Sequence, residues 1–342
     1  VIPFADHDEG TVVEHLKRAI DFTLNHLGAH GMPAGLHADW NDCLRLGAAG
    51  ESSFVAMQLY YATRVLDELM PDTAENAEYR KYLREKGEEQ KKLINEHFWE
   101  DDRFRRGYSE EGDVIGSKQN IEASMWLNPQ SWSVISGLAT KEQAEAALAS
   151  VNKLLNTPNG VEVMAPCYKY HYFDGALMKL FNPTTKENGG IFCQPQGWAI
   201  LAESLLGHGG RAFEYFTESC PAAYNDRAEL REVEPYVHSQ FIEGHESPQP
   251  GRAHVHWLTG TASTVMVGCV EGILGLRPTP EGLVIKPAIP AEWDGFTMDK
   301  TFRGKRLHIT VDNAAHKEGN PSKVLVNGVE VAGVLTDAVL TD

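Results

Sequence analysis

The sequence predicts a mainly α fold, an α/α toroid of paired helices, followed by a small all-β C-terminal domain. Three observations carry this. Apolar residues recur at helical spacing through the first three quarters of the chain. The segments between them are long and rich in Trp, Asn, Gly, Pro and Tyr, and loops of that length in a helical protein are usually functional. After Arg277 the spacing changes to short apolar alternations broken by Pro and Gly. At 342 residues the chain can bury a large core and hold more than one domain. The expected division is 1–276 for the helical region and 277–342 for the β domain.

The first helix opens with Thr11 and Glu14 in capping-box spacing. Val13, Leu16, Ile20, Leu24 and Leu27 form its apolar stripe, and Gly28 reads as its terminator. A second stripe of Phe54, Leu59, Ala62, Leu66 and Leu69 ends before Pro71. Further helices are expected over roughly 75–98, 118–127, 141–155, 194–217 and 257–273. In the last domain "KVLVNGVEV" reads as two strands joined by an Asn-Gly turn.

Composition narrows the function. The chain is 42% hydrophobic and 23% charged, and its net charge of -17 argues against a nucleic-acid partner, which needs clustered Lys and Arg. Five dispersed cysteines, with no CxxC pair, give little support to zinc or redox chemistry. No signal peptide or membrane-length apolar run is visible, so a cytoplasmic protein without a membrane partner is expected. The first residue is Val1 rather than Met, as in a piece of something longer.

Four stretches carry chemistry. In "GLHADWNDCLRLG" (35–47), Asp39 and Asp42 flank Trp40 and Asn41. An acid buried against an indole loses solvation of its charged form and stays protonated, as a general acid for a sugar leaving group requires. Alternatively, one of the two caps a following helix and Trp40 is core. In "KENGGIFCQPQGW" (186–198), Gly189 and Gly190 let backbone approach a ligand, and Gln194 precedes Pro195 at a helix start; the plainer reading is a turn and a cap. In "HVHWLTGTAST" (254–264), Thr259, Gly260 and Thr261 present hydroxyls and N–H groups to an anion, or simply cap a helix. His254 and His256 lack a third ligand in register, so no metal is expected. Aromatic and amide residues are dense in "MAPCYKYHYFD", "MWLNPQSW" and "YVHSQFIEG". Rings stack on the C–H faces of sugars while amides and carboxylates pair with hydroxyls, so this density leans toward carbohydrate.

Taken in order, "ADWNDCL", "KENGGIFCxxxGWAI", "HSQF" and "WLTGTAS" resemble the glycoside hydrolase family 94 phosphorylases, which include cellobiose, cellodextrin and chitobiose phosphorylases. The resemblance covers nearly the whole chain. It implies most of an (α/α)6 barrel plus a jelly-roll-like C-terminal domain, with a β-sandwich, a linker and the first barrel helices outside this sequence. By the same resemblance Asp42 is the general acid, Trp40 contacts sugar, and Asp39 is a supporting residue. Lys186, Glu187 and Gln240 match residues that bind sugar hydroxyls, and Thr259 and Gly260 match the phosphate site. Phe181 falls near the position that shapes the acceptor pocket, where an aromatic is similar to the glucose-acceptor enzymes. The family has His at the position of Gln194. An amide donates to phosphate without adding charge, and a charge-assisted bond is roughly twice as strong.

The implied reaction is inverting phosphorolysis of a β-linked glucosyl saccharide to α-glucose 1-phosphate. Inorganic phosphate is the co-substrate, there is no cofactor, and family members are commonly homodimers. Phosphate is itself the nucleophile, so one protein acid suffices. An inverting hydrolase with Glu187 as base, and a silent carbohydrate-binding remnant, are the alternatives; phosphate dependence of the product separates them.

Overall fold

The computed structural model describes the backbone of residues 2–3, and residues 9–321 and 323–340 in full. The chain forms two compact units. The first comprises 1–155, 164–183 and 187–189; the second comprises 156–163, 184–186 and 190–342. The chain therefore passes from one to the other five times.

In the first unit, α1 (Val12–Leu24) begins with the expected capping box: the Glu14 N–H donates to Thr11 Oγ1 at 3.2 Å, and the Thr11 N–H to Glu14 Oε2 at 2.6 Å. Ile20 and Leu24 are buried, while Leu16 and Leu27 lie exposed. Gly28 is not the terminator, because α1 ends at Leu24 with Asn25 as its cap. Its missing side chain is needed for another reason: a Cβ there would run into the Glu51 side chain and the Ala49 carbonyl. Next come α2 (Ser53–Leu69), capped by Ser52, and α3 (Ala74–Phe98). They bury Met57, Tyr60, Ile94 and Phe98 around Met32 and Phe104, and Leu59, Leu66 and Leu83 against Ile20 and Leu24.

The expected helix over 118–127 is not formed. That stretch is turns and the short strand Met125–Trp126, and the helix starts later as α4 (Leu127–Ile135). Pro129 falls in the first turn of α4, where a helix accepts proline. Then α5 (Lys141–Leu154) opens on a second capping box, Thr140 with Gln143.

In the second unit, the helix expected over 194–217 is two: α6 (Gln194–Leu206) and α7 (Gly209–Ser219). Gly207, at φ +88°, ends the first in the left-handed conformation that glycine adopts without strain. A short α8 (Ala228–Arg231) follows. The last expected helix is also shorter than 257–273: α9 is Thr261–Val267 and continues as a π-turn through Gly268–Ile273. A three-stranded antiparallel sheet sets Ser239–Ile242 between Ile191–Phe192 and Ala253–His256.

Beyond it, Gly295–Phe302 pairs with Lys305–Asp312, and Val324–Val326 with Val329–Val331 across Asn327 and Gly328. Both turn residues have positive φ, 49° and 81°, as the hairpin turn demands. Leu276, Leu283, Ile309, Leu335 and Leu340 form the core of this β region. No helix among the described residues is long and apolar enough to cross a membrane.

Candidate active site

In the first unit the 39–43 loop is built from side chains that bond to the backbone just ahead of them. Asp39 Oδ1 accepts the Asn41 N–H at 2.9 Å, and Asn41 Oδ1 accepts the Cys43 N–H at 3.0 Å. Such Asx turns replace a helix cap with local hydrogen bonds. No helix follows directly, since the next is α2 at Ser53, so neither acid is a helix cap. Asp39 instead makes an ion pair with Arg106, the two side chains 1% and 0% exposed. Arg106 also donates to Ser52 Oγ at 2.7 Å and lies against the rings of Trp126 and Phe54. The chain thus buries the charge of Asp39 and leaves Asp42, three residues on, exposed.

This corrects the expected picture of a buried acid. Trp40 is half-buried, but Asp42 is open to solvent.

The same loop is tied to the aromatic segment. Leu44 bridges Ala176, the Arg45 N–H donates to the Gly175 carbonyl at 2.9 Å, and the Leu177 N–H to the Cys43 carbonyl at 3.0 Å. One 3-10 turn later, Leu177–Leu180, comes Phe181. Asn188, fully buried, fastens this end: its amide donates to the carbonyls of Phe181 and Tyr168, both at 3.0 Å, and accepts the Tyr168 N–H at 2.8 Å. Glu187 precedes it, half-buried, and its Oε2 is enclosed with no hydrogen-bond partner among the described residues. An enclosed acceptor of this kind suits a sugar hydroxyl. In the first unit, then, the loop that carries Trp40 and Asp42 is tied to 175–177, and Asn188, next to Glu187, is tied to Phe181.

Glu122 is a supporting residue that sequence reasoning missed. It accepts the N–H groups of Lys169, Tyr170 and His171 at 2.8–3.2 Å. Burial pushes its carboxyl up, but these donors outweigh burial and hold it below the usual range. The exposed rings of Tyr170 and Tyr172 stand on the loop it holds, with the Lys179 ammonium 3.9 Å from the Tyr172 ring centre.

The second unit gathers the rest. The Cys193 N–H donates to the Gln240 carbonyl at 2.8 Å, and Thr264 Oγ1 to the Gln194 carbonyl at 2.8 Å. Thr261 Oγ1 donates to the Ser239 carbonyl at 3.2 Å, and a Cβ on Gly260 would stand 3.3 Å from Gln194 Nε2. Thr259 Oγ1 accepts the Thr261 N–H at 3.2 Å and pairs with the Thr261 hydroxyl at 2.6 Å. Gln194, Thr259 and Gly260 are thus neighbours, with Gln240 on the adjoining strand. Val255 and Trp257, at φ 55° and 69°, place two strained residues just before this turn.

Lys186 enters the unit by its backbone, whose carbonyl accepts the Gly190 N–H at 3.0 Å. Both glycines are required by close packing of the chain itself. A Cβ on Gly190 would clash with Lys186 backbone, and one on Gly189, at φ +80°, would press on Cys167. His254 and His256 pair with Glu243 and Glu234 at 2.6 and 2.9 Å. A groove of about 910 Å³ along the C-terminal hairpins includes none of these residues.

Ring faces, amides and hydroxyls are groups that can stack on and hydrogen-bond to sugars. Comparison with known proteins makes this specific. The catalytic domain of the Glycosyl hydrolase 94 superfamily matches residues 1–275, and the Glycosyl hydrolase family 65 C-terminal domain matches 276–332. The chain belongs to the Glycosyl hydrolase 94 superfamily.

Among its relatives is the N,N'-diacetylchitobiose phosphorylase of Vibrio proteolyticus, 35% identical over 97% of this chain and 42% of that protein. The solabiose phosphorylase of Paenibacillus borealis is 29% identical over 97% of this chain and 44% of that protein. The cellobionic acid phosphorylase of Neurospora crassa is 28% identical over 96% and 42%. The chain therefore spans less than half the length of these relatives. A solved sialidase shares the fold, with a TM-score of 0.64 and 15% identity over 95% of this chain and 30% of that one.

Proposed function

We propose that the protein performs inverting phosphorolysis of a β-linked glucosyl disaccharide or oligosaccharide, releasing α-glucose 1-phosphate and the shortened sugar. The observation that carries this reading is membership of the Glycosyl hydrolase 94 superfamily alongside relatives named as phosphorylases. Asp42 gives its proton to the glycosidic oxygen as the bond from the anomeric carbon breaks. A phosphate oxygen attacks that carbon from the opposite face and inverts it. Because Asp42 is exposed in the free chain, the bound sugar is what covers it and shuts water away from it.

Trp40 and Phe181 offer ring faces, while Lys186, Glu187 and Gln240 pair with hydroxyls. Gln194, Thr259 and Gly260 hold phosphate with neutral donors, and no cofactor is required. Residues 1–276 form the (α/α)6 barrel region and 277–342 the C-terminal β domain. The whole protein acts as a cytoplasmic homodimer.

The relatives are named for different saccharides, so the acceptor is read from Phe181, which favours glucose over N-acetylglucosamine. The test runs the reaction in reverse in the intact protein, offering α-glucose 1-phosphate or α-N-acetylglucosamine 1-phosphate with a panel of acceptors and measuring phosphate release. Turnover with the glucosyl donor is expected. Turnover with the N-acetyl donor alone overturns the glucosyl assignment, turnover only onto N-acetylglucosamine as acceptor overturns the reading of Phe181, and free sugar formed without phosphate marks a hydrolase. Asp42→Asn is expected to lower phosphorolysis by at least ~100-fold, the scale of general-acid catalysis, with saccharide binding retained. Undiminished turnover removes Asp42 from its role.

A further inference from the structure

We infer that Glu162 is a positioning residue for Lys186, acting through Gly244, His245 and Thr184; the inference rests on the proposed role of Lys186 as a sugar ligand. The Glu162 side chain is 1% exposed. Its Oε1 accepts the backbone N–H of His245 at 3.0 Å and pairs with His245 Nδ1 at 2.7 Å. A Cβ on Gly244 would collide with that oxygen, so the turn closes onto the carboxylate only with glycine there. The turn then grips Thr184. Its Gly244 N–H donates to the Thr184 carbonyl at 2.8 Å, and its Glu246 N–H to Thr184 Oγ1 at 3.1 Å.

Thr184 is buried at φ 53°, and Lys186 sits at φ 47°. Two non-glycine residues in the left-handed region, two positions apart, are held only if their surroundings over-determine them. The far side is fixed as well. The Gly190 N–H donates to the Lys186 carbonyl at 3.0 Å, and the Val163 N–H to the Gly190 carbonyl at 2.9 Å. Val163 is the residue after Glu162, so the bonds form a closed ring from Glu162 through Thr184 and Lys186 back to Glu162's neighbour. Burial pushes the Glu162 carboxyl up, and the His245 donors oppose this without cancelling it. A buried acid that costs energy to hold and whose bonds end on a ligand's strained backbone is accounted for by positioning.

The test compares Glu162→Ala, Glu162→Gln, Lys186→Ala and the Glu162→Ala/Lys186→Ala pair in the intact protein, by steady-state phosphorolysis. Glu162→Ala is expected to raise KM for the saccharide roughly tenfold with kcat nearly unchanged, as loss of a uniform binding contact does. Glu162→Gln keeps an oxygen for the His245 N–H and is expected to restore KM to within about twofold of wild type. The double variant is expected to match Lys186→Ala alone, because one residue acts through the other. A folded Glu162→Ala with wild-type KM overturns the inference, and so do additive effects in the pair. If Glu162→Ala does not fold, Thr184→Val carries the test: it removes only the Oγ1 acceptor, a raised KM supports the ring, and an unchanged KM overturns it. Wild-type KM in Lys186→Ala is a separate failure, that of the sugar-ligand reading.

Discussion

Arg106 and Asp39 show what a single residue contributes here. Their pair is fully enclosed, and removing one member would leave the other's charge uncompensated, a loss of roughly 3–5 kcal/mol. That investment shapes the loop on which Asp42 stands. Glu218, on α7, is a different buried acid. Its environment and the neighbouring Glu214 push its carboxyl from 4.5 up to about 7, while Asn156 donates to it at 3.3 Å. A raised acid binds its proton more tightly folded than unfolded, so its contribution is intact below pH 4.5 and is lost as pH rises toward 7. Glu218→Gln is therefore expected to stabilise the protein above pH 7 and leave it unchanged below 4.5. The gain is on the order of 1 kcal/mol once solvent access is allowed for. Urea unfolding at pH 4.5 and pH 8 measures both; an equal effect at the two values rules out this assignment.

Between α6 and α9 the contact is backbone to backbone. A Cβ on Gly197 would clash with the carbonyl carbon of Thr264, and Thr264 in turn donates to the Gln194 carbonyl, one turn back along α6. Gly197→Ala is thus expected to cost ~1–3 kcal/mol, as overpacking does, and, on the proposed role of Gln194 in holding phosphate, to weaken phosphate use by moving Gln194 off the Gly260 turn. Urea unfolding with KM for phosphate checks both, and an unchanged KM in a destabilised variant separates packing from binding. The elements were legible where signals are local: Thr11 with Glu14 at the start of α1, and Asn327-Gly328 between two strands. They were misread where one residue outranks periodicity, as Gly207 does in 194–217. Glycine was the least legible. Gly28, Gly189 and Gly190 are required by close approach of the chain to itself, which spacing does not reveal.

At the scale of the whole molecule, supporting residues hid from sequence reasoning because their partners are remote. Arg106 and Asp39 are 67 positions apart, and His245 and Glu162 are 83 apart. The motif residues lie together in sequence and were visible; the groups that hold them lie elsewhere. The same long-range wiring decides what folds alone. Residues 1–155 look like a helical domain, but the unit that contains them also includes 164–183 and 187–189. Without these, Glu122 loses the three N–H groups it accepts, Leu44 loses its bridge to Ala176, and the strand Met125–Trp126 loses its partner Met164–Ala165. Glu122 would face water as an ordinary acid, and the 39–43 loop would lose the chain that braces it. A 1–155 fragment is therefore expected to retain helix by circular dichroism but to unfold in urea without a sharp transition. Residues 1–189 are expected to unfold more cooperatively, since every segment of the unit is then present. A sharp transition in 1–155 would show that α1–α5 suffice, and that the later segments add only the aromatic loop to a unit already complete.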